Sequence, residues 1–237
     1  MAPSSTREAL LEQGALLFAR HGVGGVSARQ LHEASGARNE SAVHYHFGSQ
    51  RGLVEAILRL HLDAVEARRA ALVAEIEAQE LTGDIRSLVR ALAEPMAVDL
   101  ATPEGRAHLR IVAQLSHPAL AYAAPFEQAS TVMSTRAPAG AQVVEWLLAA
   151  MRELPGPICR ERMAALRAQL ISLFGLRAQL LDDGLGPSSA DATMLFVENL
   201  LDMVVASLTA PPTAAAMEAA AAAEAARSSR RSTRRST

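Results

Sequence analysis

Between Leu53 and Leu81 the chain contains neither proline nor glycine, and Leu53, Ile57, Leu60, Ala64, Ala71 and Ile76 keep one apolar stripe at helical spacing. A stretch of that kind predicts a single helix from Ser49 onward of about 30 residues, roughly 45 Å long at 1.5 Å per residue. A rod of that length is long enough to join two regions. The β-branched and aromatic alternation that marks strands is scarce, with aromatic residues at only 3%, so the chain reads as all-α.

Punctuation on either side divides the rest. Ser5 with Glu8, and Ser27 with Gln30, are capping boxes that open helices at residues 6–21 and 28–34, closed by Gly22 and by Ser35 with Gly36. Asn39 is placed to cap a third short helix over residues 40–46, before Gly48 and Ser49. Beyond the long helix, Thr82-Gly83-Asp84 precedes a helix over 85–100 that Pro95 should kink, and Thr102-Pro103-Glu104 reads as cap, first-turn proline and acid matched to the helix dipole. Pro118, Pro125, Pro138 and Gly140 make the middle irregular. Helices over 141–153 and 157–182 follow, and Ser188 or Ser189 caps a final apolar helix through Leu208 that Pro211-Pro212 ends.

Composition narrows the class. Half of the 237 residues are hydrophobic and the formal net charge is −2, so the chain can bury a core and is not a disordered protein. Cys159 is the single cysteine; it excludes a disulfide within one chain and a cysteine-based zinc site, and fits a reducing compartment. Glu8 and Glu12 interrupt any signal-peptide core. Residues 193–208 carry Glu198, Asn199 and Asp202, and the Ala-rich run after Pro212 is broken by Glu218 and Glu224, so no membrane span is expected and the location expected is cytoplasmic. The basic end, with Arg227, Arg230, Arg231, Arg234 and Arg235, leaves the first 226 residues at −7; it is either a solubilising end or a hold on DNA or another polyanion.

The second and third helices with the Gly36 turn form a helix-turn-helix, in which the later helix offers its N-terminal side chains while the earlier one braces it across a phosphate backbone. From Phe18 to Leu53 the sequence FARHGVGGVSARQLHEASGARNESAVHYHFGSQRGL resembles the DNA-binding segment of the TetR family of transcriptional repressors. The resemblance lies in the Phe18 to Gly22 helix end, the Ser27 cap, Leu31, Gly36, the Tyr45-His46-Phe47 close and Leu53. The directly consecutive Tyr, His and Phe resemble one branch of the family. His44 stands where the family usually has Tyr, Gln50 where it has a phosphate-contacting Lys, His32 and Ser35 where it commonly has Ala, and the stretch from Gly36 to Phe47 looks one residue longer.

On the helix itself, Arg38, Asn39, Glu40, Ser41, His44 and Tyr45 should form the recognition surface, with Val43 and Phe47 facing inward. Arg favours guanine and Asn adenine edges, while His44 and Tyr45 suit phosphates or thymine methyls. Alternatively, one of His44 and His46 packs against the long helix and neither touches DNA. Ser27 and Arg51 complete the expected DNA-binding set, Arg51 standing in for the missing Lys charge. Residues 1–47 hold four arginines and four acidic residues, so binding is expected to depend on helix N-termini at phosphates and on a dimer doubling each contact.

The division expected is a helix-turn-helix domain over 1–48, a helical ligand-binding and dimerisation domain over 49–210, and a disordered tail over 211–237 whose Ala-rich run could be transiently helical. For the second of these the resemblance implies a ligand pocket and a four-helix dimer bundle from the last two long helices of each subunit. Met163, Leu166, Leu170, Leu173 and Phe174, with Leu195, Leu200, Val204 and Leu208, suit such a bundle or an ordinary intramolecular core. Met96, Tyr122, Phe126, Met133, Trp146 and Met151 are the candidate pocket residues. No nucleophile elbow, phosphate loop with Lys, H-E-x-x-H or paired cysteines occurs. Glu104 and His108 sit four apart and read as a surface salt link rather than a metal site. The expected function is a sequence-specific DNA-binding regulator, a repressor that acts as a homodimer on a double-stranded operator and is released by a small apolar ligand. No cofactor, metal, catalytic residue or membrane is expected. A helical adaptor for a protein partner, or a small-molecule enzyme, are the alternatives.

Overall fold

In the computed structural model, which describes residues 5–36, 41–116 and 137–233, every regular element is helical. Helix α1 (Thr6–His21) starts at the Ser5/Glu8 capping box and stops at Gly22. Helix α2 (Ala28–Ser35) starts at the Ser27/Gln30 box, and Gly36 ends it in the left-handed conformation at φ 61°, which costs a residue without Cβ least. Helix α3 spans Ala42–Phe47 and α4 spans Gln50–Ala78, the latter capped by the Ser49 hydroxyl on the Gly52 amide. The third helix therefore opens at Ala42 rather than residue 40. Ser41, not Asn39, holds its N-cap position, and it makes no side-chain capping bond.

These four helices share one core of Leu10, Phe18, Val26, Leu31, Val43, Leu53, Val54 and Ile57, and two residues of a later helix, Ala107 and Ile111, complete it. The stripe on α4 differs from the expected one. Leu53, Ile57 and Ile76 are buried, but Leu60 is 58% exposed, and Ala64 and Ala71 are also exposed. Leu58, Leu62, Val65, Glu66 and Arg69 are buried instead, because α4 packs against α1 and α3 at its start and against other helices farther along.

Helix α5 (Ile85–Ala97) begins at Asp84, whose carboxylate accepts from the Ser87 amide and hydroxyl, and passes into a 3-10 turn, Val98–Ala101. Pro95 lies in its last turn and cannot donate to the Ala91 carbonyl four residues back. Arg69 of α4 supplies the missing donor, its Nε reaching the Ala91 oxygen at 3.1 Å. Helix α6 (Pro103–Leu115) carries the Thr102 cap and first-turn proline. Helix α7 spans Pro138–Ala150, α8 spans Gly156–Asp182 and α9, capped by Ser189, spans Ala190–Thr209. Pro138 thus starts a helix, while Pro118 and Pro125 lie outside the described residues. Gly175 of α8 lets α6 and α8 cross closely, since a Cβ there would stand 2.4 Å from the Ala113 Cβ.

A second core joins α4 to α9 through Leu88, Val89, Leu109, Val143, Leu147, Leu166, Leu170, Phe174, Leu200, Leu201 and Val204. Leu166, Leu170, Phe174, Leu200, Val204 and Leu208 are thereby buried within one chain, not left for a partner. The apolar side chains that α8 and α9 leave exposed are Leu176, Met194, Leu195 and Met203. By length and hydropathy α9 could cross a membrane, the one such helix among the described residues. Its Glu198 and Asp202 pair with Arg86 of α5 while Leu200, Leu201 and Val204 enter the core, as in a core helix.

The segment expected to be disordered after Pro212 instead forms helix α10, Ala214–Thr233. Alanine favours helix on its own, and Ala220 is buried where α10 meets α8.

Candidate nucleic-acid interface

Helix α2, the Gly36 turn and α3 form a helix-turn-helix held from beneath. Val43 is buried and Phe47 packs on the N-terminal core, while the Arg7 guanidinium of α1 lies 5.4 Å above the Phe47 ring. The outward side of α3 carries His44, exposed, and Tyr45, 83% exposed. Tyr45 stands edge-on to His46, with ring centroids 4.9 Å apart. His46 is half-buried.

The other expected DNA-binding residues are distributed unequally. Ser41 is exposed before α3. Ser27 is occupied as a cap, its hydroxyl accepting from the Gln30 amide at 3.3 Å and donating to Gln30 Oε1 at 2.8 Å. Arg51 pairs with Glu55 one turn on, Nε to Oε1 at 2.9 Å. Arg38, Asn39 and Glu40 lie outside the described residues.

Gln50 plays a part that the sequence did not disclose. Its amide nitrogen donates to the carbonyls of Val23 and Val26, both at 3.0 Å. The side chain at the start of α4 thus fixes the loop between α1 and α2, and satisfies two loop carbonyls at once. A glutamine before a new helix gives no local signal for this, because its acceptors lie 24 and 27 residues earlier.

Helix α6 links this unit to the body. Gln114 Nε2 donates to the Ala19 carbonyl of α1 at 2.9 Å, and Ala107 and Ile111 enter the N-terminal core. Beside it, His108 is not a surface partner of Glu104. It is buried, its Nδ1 lies 3.2 Å from Asp99 Oδ2, and its ring stacks on His61 of α4 at 4.6 Å and 9°. Arg68 donates to the other Asp99 oxygen at 2.8 Å and to the Pro95 carbonyl at 2.6 Å. Burial, and then the neighbouring His108, hold His61 down to about 4. Burial pushes the Asp99 carboxyl up, but hydrogen bonds from His108 and Arg68 outweigh it and hold Asp99 below the usual carboxylate range.

Of the candidate pocket residues, Met151 is core, Met96 and Trp146 are partly buried against that core, and Tyr122, Phe126 and Met133 lie outside the described residues. A cavity of about 730 Å³ opens elsewhere, between α5, α6, α8 and α9, against Leu100, Leu181, Met194 and Val197. Its charged rim is internally paired: Arg90 bonds Glu94 and Glu198, and Arg106 bonds Asp182.

No protein-family model matches the chain. Over 73 residues it is 38% identical to the HTH-type transcriptional repressor AcnR of Corynebacterium glutamicum, a match covering 31% of this chain and 36% of that protein. The chain therefore spans about a third of the length of that curated relative. A TetR family transcriptional regulator, PfmR from Thermus thermophilus, aligns over 92% of this chain and 93% of its own at 22% identity, with a TM-score of 0.31, a superposition too loose to carry an argument. What the described residues define is an all-α chain with an N-terminal helix-turn-helix on a larger helical body. Residues 18–53 resemble the DNA-binding segment of the TetR family.

Proposed function

We propose that the chain is a cytoplasmic, sequence-specific DNA-binding transcriptional regulator of the TetR type, acting as a repressor. The observation that carries this is the α2–Gly36–α3 unit, buttressed from below and presenting His44 and Tyr45 outward. The partial identity with a helix-turn-helix repressor supports the same reading. Ser41, His44 and Tyr45, with Arg38, Asn39 and Glu40 just before them in the sequence, would face the major groove, and Arg51 and Ser27 the flanking phosphates.

One such unit makes few contacts, so the functional form is a two-fold homodimer on a near-palindromic operator. The exposed Leu176, Met194, Leu195 and Met203 supply apolar surface for the partner subunit. Release comes from a small, largely apolar ligand in the cavity between α5, α6, α8 and α9: its charged side chains already pair with one another, so the wall it offers a guest is Leu100, Leu181, Met194 and Val197.

Mass measurement and anisotropy titration on DNA selected by the full chain test the reading together. It expects a dimer, loss of sequence preference in Asn39→Ala at one base pair per half-site, and in Arg51→Ala a uniform weakening with a salt slope flatter by about one unit per subunit. A monomer that binds its site with full affinity contradicts it.

A further inference from the structure

We propose that His61, Asp99 and His108 form a binding site for a divalent transition-metal ion, of the zinc, cobalt or nickel kind. The three come from separate elements, α4, the 3-10 turn and α6, and one potential ligand atom from each lies within 4.8 Å of the others. Asp99 and His108 are buried and His61 is half-buried, so this is not an accidental meeting of surface side chains.

The hydrogen bonding favours a ligand. His108 Nδ1 is engaged by Asp99, yet its Nε2 is buried without a hydrogen-bond partner. A buried imidazole nitrogen left unsatisfied is costly unless something occupies its lone pair. Protein imidazoles that bind metals commonly show this division, one ring nitrogen on a carboxylate and the other free for the ion. Two imidazoles and a carboxylate match the borderline hardness of these ions and not that of magnesium or calcium, which take oxygen ligands.

Bonds of about 2.0–2.2 Å place two ligand atoms of a tetrahedral ion about 3.3–3.6 Å apart, so side-chain shifts of about 1.2–1.5 Å close the 4.8 Å span. The 3.2 Å between His108 Nδ1 and Asp99 Oδ2 is the hydrogen bond that orients the His108 ring and leaves its Nε2 to the ion. Arg68 holds the other Asp99 oxygen and leaves Oδ2 facing the histidines. An ion here joins α4 to α6 at His108, next to Ala107 and one turn before Ile111, the two α6 residues in the N-terminal core.

The test uses the full chain, stripped with a chelator and titrated with cobalt(II), followed by visible absorption and by thermal melting. Expected are one cobalt per chain with the intense bands of low-coordinate nitrogen and oxygen ligation, displacement by zinc, and a raised melting temperature. His61→Phe, which keeps a ring for the stack, and Asp99→Asn should each weaken binding at least 10-fold, whereas His44→Ala/His46→Ala should leave it unchanged. Because His61 is only half-buried, a His61→Phe protein with the wild-type melting temperature in the absence of metal separates lost ligation from lost folding. Unchanged cobalt affinity in His61→Phe, or no binding by wild type at about 0.1 mM cobalt, overturns the site.

Discussion

Replacing Glu66 with alanine should cost the fold about 4 kcal/mol. The carboxylate is buried, with one oxygen on Arg69 Nη1 and the other accepting the first-turn amides of Ala139 and Gly140 at 3.1 and 3.2 Å. Its loss leaves a buried guanidinium without a counter-charge, which costs about 3–5 kcal/mol. Two α7 amides also lose their acceptor, at about 1–3 kcal/mol each where water cannot reach them. These penalties overlap, since relaxation that admits water relieves both.

Arg69→Met strands the carboxylate and also the Ala91 carbonyl that Pro95 cannot satisfy. The double variant Glu66→Ala/Arg69→Met removes both charges together. It should therefore be less destabilised than the sum of its parts, by about 2–3 kcal/mol. Urea denaturation monitored by far-ultraviolet circular dichroism measures all four proteins, with an unchanged m-value as the condition for comparing them. A Glu66→Ala penalty below about 1 kcal/mol, or strict additivity in the cycle, refutes the reasoning.

Gln50→Ala should lower stability by about 1–2 kcal/mol, because the two loop carbonyls it serves lose their donor; a melting temperature equal to wild type would show that water replaces it without cost. Gly175→Val should destabilise by at least about 1–3 kcal/mol, a side chain there meeting Ala113 at 2.4 Å where α6 and α8 cross, and calorimetry showing no change would mean the crossing is looser than described. Asp84→Ala should cost about 1 kcal/mol as a lost N-cap. Hydrogen bonds from Ser87 hold the Asp84 carboxyl below its usual value, so its contribution is present above the unfolded pKa and disappears as pH falls through the lower folded one. The penalty of Asp84→Ala should thus shrink in acid, and a penalty independent of pH would contradict the cap.

Where α1, α2, α6 and α9 begin was legible because the signal was local, whereas the equally local Asn39 cap expected for α3 gave way to Ser41. The Ser5, Ser27, Thr102 and Ser189 caps lie within three residues of the amides they satisfy. The burial pattern of α4 was not legible, because one stripe presumes one neighbour, and α4 joins the N-terminal core through Leu53, Val54, Ile57 and Leu58 but the second core through Ile76. The sequence allowed only a transient helix over Ala214–Thr233, since alanine carries no amphipathic contrast to show packing, yet Ala220 needs only a small gap on α8 to be buried. The exposed side of α3 followed from helical periodicity. By contrast, the Gln50 clamp and the His61–Asp99–His108 cluster depend on partners from 9 to 47 residues distant. Only the Glu104/His108 spacing hinted at the latter, and it pointed to the wrong partner.

The central claim is that the α2–α3 surface reads DNA sequence. Selection from a random duplex library by the full-length chain, followed by sequencing of the bound fraction, tests it most directly. The expected result is enrichment of a near-palindromic site with half-sites one helical turn apart, lost when His44 and Tyr45 are both changed to alanine. Binding that enriches no sequence, or enrichment that survives the double change undiminished, would contradict it.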